Sequence, residues 1–126
     1  MKRRLLVLAL VTITALAGIS LIATGAARAQ TTDECTLTPT IAALTTCVEH
    51  AASQGIIDNQ GVTNSLLAKL DTAQAALDRG LTSVAINDLQ AFINEVQAQA
   101  GKHIDAMHAQ HMVMHAELVI QALTNG

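Results

Sequence analysis

Four of the five histidines fall between positions 103 and 115, in the run His103-Ile-Asp-Ala-Met107-His108-Ala-Gln-His111-Met112-Val-Met114-His115. His108 and His111 are three residues apart, His111 and His115 four. On an α-helix both steps put side chains on adjacent turns, about 5–6 Å apart at Cβ. Imidazoles so spaced bind Zn²⁺, Cu²⁺ or Ni²⁺, and thioethers beside them favour Cu⁺. The candidate metal ligands are therefore His108, His111 and His115, with Met107 and Met114 alongside. A helical wheel gathers the three imidazoles within about 60°, nearly opposite the centre of the apolar face. The competing reading is a solvated outer face that binds nothing. Below about pH 6 such a stripe gains positive charge at i, i+3 and i+4 spacing and repels itself. His103 stands before this helix, and His50 sits where it can meet the C-terminal dipole of an earlier one.

Cys35 and Cys47 are the only cysteines. Their spacing is no metal motif by itself; in an oxidising compartment it suits one intrachain disulfide, with intermolecular pairing or two free thiols as alternatives. Hydroxyl residues gather at caps and loops, and the carboxylates are spread singly along outer faces. Gly55, Gly61, Gly80 and Gly101 punctuate connections and form no phosphate-binding loop. No nucleophile–base pair is suggested, so enzyme activity is not expected. No cofactor is required, and Zn or Cu remain the metals the stripe could take.

Lys2, Arg3 and Arg4, the apolar run from Leu5 to Ala23, and Ala27-Arg28-Ala29 follow the order of a secretory signal peptide, with cleavage before Gln30. An uncleaved anchor is the alternative, because a run of roughly 19 residues is near the length that spans a bilayer. The leader holds four of the seven basic residues and none of the ten acids, so the remaining 97 residues carry three basic and ten acidic groups, net −7 with His neutral. A chain of that sign repels phosphate backbones and anionic lipids, which excludes nucleic acid as a partner and leaves membrane contact to an uncleaved leader. The expected location is secreted, periplasmic or cell-surface.

The elements that must position these residues are helical. Gln30 to Thr38 forms a polar arm. Thr38 as N-cap and Pro39 at the first helical position start helix 1, which runs to about Gln54 and ends at Gly55. Leu66, Leu70, Ala73 and Leu77 share a face of helix 2, about Thr63 to Arg79, with Gly80 as the left-handed cap. Thr82 or Ser83 opens helix 3, whose Ala85, Leu89, Phe92, Ile93 and Val96 lie in one arc. Asp105 caps helix 4, and Ala109, Met112, Val113, Ala116, Val119, Ile120 and Leu123 make its core side. Short connections make consecutive helices antiparallel. The expected fold is an all-α bundle of about four antiparallel helices over residues 39–126. With one Phe and no Trp or Tyr, its core rests on Leu, Ile, Val and Ala.

Gly55-Ile-Ile-Asp-Asn-Gln-Gly-Val-Thr-Asn-Ser-Leu-Leu-Ala-Lys-Leu70, then Ala73-Gln-Ala-Ala-Leu-Asp-Arg-Gly80 and Ala91-Phe-Ile-Asn-Glu-Val-Gln-Ala-Gln-Ala-Gly-Lys102, resemble a FIMAH-type domain, over about Ile56 to Leu123. These are small helical modules at the C-termini of exported bacterial proteins. The resemblance implies a non-enzymatic accessory or interaction module with a cell-surface or extracellular partner, and it carries over no active site. The histidine- and methionine-rich helix 4 departs from the family pattern.

Overall fold

A computed structural model describes residues 35–126; the leader and its cleavage site lie outside the described residues. Four helices follow one another, α1 (Ile41–Ser53), α2 (Gln60–Asp78), α3 (Thr82–Gln99) and α4 (Ala106–Asn125). Each packs on its neighbours in sequence and α4 closes on α1, while the backbones of the diagonal pairs α1–α3 and α2–α4 do not approach closely. The result is a four-helix ring around one apolar core, the all-α bundle expected from the helical periodicity.

The core follows from the stripes. Leu44, Val48, Leu66, Leu70, Ala73, Ala85, Leu89, Phe92, Val96, Met112, Ala116 and Val119 are buried. Alanines at the seams let helix backbones approach closely, so a core with a single aromatic ring still fills. Phe92 is the largest of the fully buried side chains. Gly55, Gly80 and Gly101 take positive φ at the ends of α1, α2 and α3. At Gly80, with φ +73°, the Leu81 N–H returns to the Ala76 carbonyl and stops the helix cleanly.

Two helix starts lie away from where the residue pattern puts them. Thr40, not Thr38, caps α1, its hydroxyl accepting from the Ala43 N–H at 3.2 Å. Pro39 instead forms the middle of a three-residue turn, closed by the Thr40 N–H donating to the Thr38 carbonyl at 2.7 Å. In α2, Asn59 accepts from the Val62 N–H and starts the helix three residues earlier than Thr63. At α4, Asp105 caps as expected, accepting from the Met107 and His108 N–H groups.

The α1–α2 and α3–α4 connections are tied together at one end of the bundle. Asp58 N–H donates to the His103 carbonyl, and Asp105 N–H to that of Ile56. Ile57 and Ile104 are buried beneath this clasp, which fixes where α4 begins relative to the end of α1.

Candidate functional site

Because α4 runs antiparallel to α1, its first half lies beside the end of α1 and its middle beside the start of α1. The histidine run therefore meets α1 along a seam, and the seam sorts its residues by depth.

His115 is fully buried. Its Nε2 donates to the Thr38 carbonyl at 2.7 Å, the same oxygen that closes the turn at Pro39 by accepting from the Thr40 N–H. A carbonyl only accepts, so Nε2 carries the proton and the lone pair of the neutral ring is on Nδ1. That Nδ1 is buried without a hydrogen-bond partner. His115 is thus a core residue, and its expected place on a solvated outer stripe is corrected. At 100° per residue it stands about 60° from Met112 and 40° from Val119, at the margin of the buried arc rather than opposite it.

His108 is exposed at the start of α4. Its Nδ1 donates to Asp105 Oδ1 at 2.8 Å, the same oxygen that caps the helix. The His108 side-chain hydrogen bond is the leading reason the Asp105 carboxyl lies below the ordinary carboxylate range, followed by the His108 backbone N–H. This partner also fixes the imidazole with Nε2 outward, the orientation a carboxylate gives to a metal-ligating histidine. His111 is half-buried between the two, and its Nε2 is buried with no hydrogen-bond partner. Met107 and Met114 are 76% and 43% exposed.

His103 lies outside α4, paired through Nδ1 with Asp58 at 2.8 Å. The carboxylates are less solitary than their spacing implies. Besides Asp58 and Asp105, Glu95 on α3 meets Lys69 of α2 at 2.6 Å and accepts from Ser65 at 2.9 Å.

Cys35 and Cys47 form a disulfide, with Cα atoms 4.4 Å apart. It ties the segment before α1 to the middle of that helix. Cys47 is buried and Cys35 half-buried. Next to the disulfide a cavity of about 220 Å³ opens between α1 and α4. Cys35, Cys47, His50, Ala51 and Ile56 form one side and Met107, His108, His111 and Met112 the other. The stripe is therefore split three ways. Met107, His108 and His111 face this cavity, His115 turns into the core, and Met114 does not line the cavity. Among the described residues, the one set of three potential ligand atoms within 4.8 Å of one another is Cys35, Cys47 and a ring nitrogen of His115. Residue spacing could have found the histidines, but not their meeting with the cysteines, which depends on the α1–α4 pairing.

The bundle and its seam describe a small helical module whose polar groups mostly serve caps and clasps. The FIMAH domain model matches residues 41–121, and the chain belongs to that family. The match begins with α1, upstream of the stretch from Ile56 that carries the resemblance in sequence. No curated protein and no solved structure matches the chain. No described helix is long and apolar enough to cross a membrane.

Proposed function

We propose that this chain is a non-enzymatic exported accessory module that attaches to a cell-surface or extracellular partner through the α1–α4 seam. The observation that carries the reading is the family match over nearly the whole bundle, which makes the FIMAH unit the working part of the described residues. Engagement of the reactive side chains supports it. The cysteines are bonded, His108 holds Asp105, His103 holds Asp58 and Lys69 holds Glu95. The disulfide agrees with an oxidising compartment. The seam cavity, lined by apolar side chains and imidazoles together, is a concave surface a partner group can enter. Ala51→Arg would fill it from the α1 wall. The test is saturable binding of the processed chain to envelope fractions of the producing cell. Loss of binding in a folded Ala51→Arg variant supports the reading, and binding that is non-saturable or unchanged by the substitution overturns it.

A second reading, a small metal-binding protein, is favoured by one feature of the seam. His108 is oriented by Asp105 and stands at the same cavity as His111 and Met107. Zn²⁺ or Cu²⁺ would bind there in the oxidised protein. Calorimetric titration of the disulfide-intact chain should then give heat that His108→Ala and His111→Ala each diminish. Absence of heat at micromolar metal removes this reading.

A further inference from the structure

The disulfide meets two separate features, the buried His115 ring on its core side and the α1–α4 cavity that both cysteines line. Both sulfurs and a His115 nitrogen lie within 4.8 Å of one another. The His115 ring is fully buried, with Nε2 spent on the Thr38 carbonyl and Nδ1 lacking a partner. A buried acceptor of this kind costs free energy unless something uses it. Nε2 is already held by a backbone carbonyl, as in metal sites where such a bond fixes the tautomer and leaves the other nitrogen's lone pair for the metal. We propose that Cys35, Cys47 and His115 form a latent thiolate–imidazole metal site, which takes up Zn²⁺ or a comparable borderline-soft divalent cation when the disulfide is reduced.

The chemistry balances with a dithiol as reductant. One thiolate of the dithiol attacks a sulfur of the Cys35–Cys47 bond and forms a mixed disulfide; its second thiol displaces that link. The dithiol leaves as a disulfide, oxidised by two electrons, and the protein gains two electrons and two protons as two thiols. The cation then replaces both thiol protons, which pass to solvent, and two thiolates and neutral His115 Nδ1 become ligands. Cys35, the more accessible sulfur, adjoins the open cavity.

The geometry of the segment before α1 permits the change. Two sulfurs on a tetrahedral zinc stand roughly 3.8 Å apart, given Zn–S of about 2.3 Å, so reduction must let the bonded pair separate. Cys47 is fixed in α1, but Cys35 belongs to a non-helical stretch and can move with its backbone. His111 is the neighbour placed to supply a fourth ligand. It lines the same cavity as both cysteines and its Nε2 is buried without a partner. It stands outside the 4.8 Å set, so its side chain must turn inward to close the site; otherwise the fourth position stays open toward the cavity. Thiolate with imidazole is a donor set that selects Zn²⁺ over the hard cations Mg²⁺ and Ca²⁺.

The inference does not rest on the attachment reading, and redox state separates it from metal binding by the surface histidines. Co²⁺ serves as the spectroscopic probe and Zn²⁺ as the competitor, added to the full chain before and after reduction by a phosphine. The reduced protein should bind one Co²⁺, with thiolate-to-cobalt charge-transfer absorption and tetrahedral visible bands that Zn²⁺ abolishes. The oxidised protein should show neither. Cys35→Ser with Cys47→Ser should remove the charge-transfer band. His115→Gln, which can still donate to the Thr38 carbonyl, should weaken binding by at least roughly 10–100-fold, the loss typical of altering even the groups that only orient a ligand. Circular dichroism establishes that each variant is helical, and protection of both reduced cysteines from alkylation by Zn²⁺ gives a readout in the unsubstituted chain. No thiolate-to-cobalt band and no Zn²⁺ protection in a folded reduced chain would overturn the proposal. So would unchanged affinity in the double serine variant, which would assign the metal to the surface histidines.

Discussion

At the scale of single residues, the three histidines at 108, 111 and 115 differ in what surrounds them. His115 is tied to the N-terminal side of α1 by one hydrogen bond, so His115→Ala removes a buried ring and takes one of the two donors from the Thr38 carbonyl. That change should destabilise the fold by about 2–4 kcal/mol, whereas His108→Ala, on the exposed first turn, should scarcely move the denaturation midpoint. Equal effects in urea melts would contradict the burial of His115. Asp105 sets a pH dependence. Its carboxyl is held below the ordinary range chiefly by the His108 side chain, so the folded state favours the charged form. The contribution is complete above the unfolded Asp value of about 3.9 and is lost as pH falls through the lower folded value. A carboxylate titration followed by NMR should place Asp105 below the ordinary aspartate value, and His108→Ala should return it toward that value. Glu95 and Asp58 show the limit of reading residues singly, since their partners Lys69 and His103 lie on other elements of the bundle.

At the scale of elements, helical periodicity and punctuation were legible in the chain and exact starts were not. Asp105 is an N-cap in sequence and structure alike, because an Asp immediately before an amphipathic run has few competing uses. Thr38 and Thr40 offered the same chemistry on either side of Pro39. The choice fell to Thr40 because the Thr38 carbonyl is engaged by both the Thr40 N–H and buried His115. Thr40→Ala should therefore cost about 1 kcal/mol, while Thr38→Ala, which keeps the carbonyl, should cost much less. Thermal melts of the two variants distinguish these caps. The α4 wheel was legible as amphipathic, but its buried arc is rotated toward the histidines. Val113 and Ile120 are only half-buried while His115 is fully so, because α4 packs against α1 as well as α3.

At the scale of the whole molecule, a bundle with one aromatic side chain depends heavily on it and on its one covalent clasp. Phe92→Ala should destabilise by about 3–5 kcal/mol, and replacing both cysteines by serine by about 2–3 kcal/mol in the chain-entropy model of loop closure. Chemical denaturation of each variant measures these losses. A cysteine loss near zero would mean the segment before α1 is held by other contacts, such as that of His115 with Thr38.

The residues alone determined the all-α class, the four helices, the family and a pair of cysteines fit to bond. These depend on local periodicity, on capping chemistry and on sequence motifs, all of which act within a few turns of the chain. Tertiary structure decided which histidine is buried, which of its nitrogens is left without a partner and which cysteines its ring lies beside. Those outcomes follow from the antiparallel closure of α4 on α1, which brings residue 115 to within a hydrogen bond of residue 38. No spacing along one helix encodes that meeting. The stripe that the sequence places on an outer face is thus a divided seam, with its deepest histidine beside the disulfide.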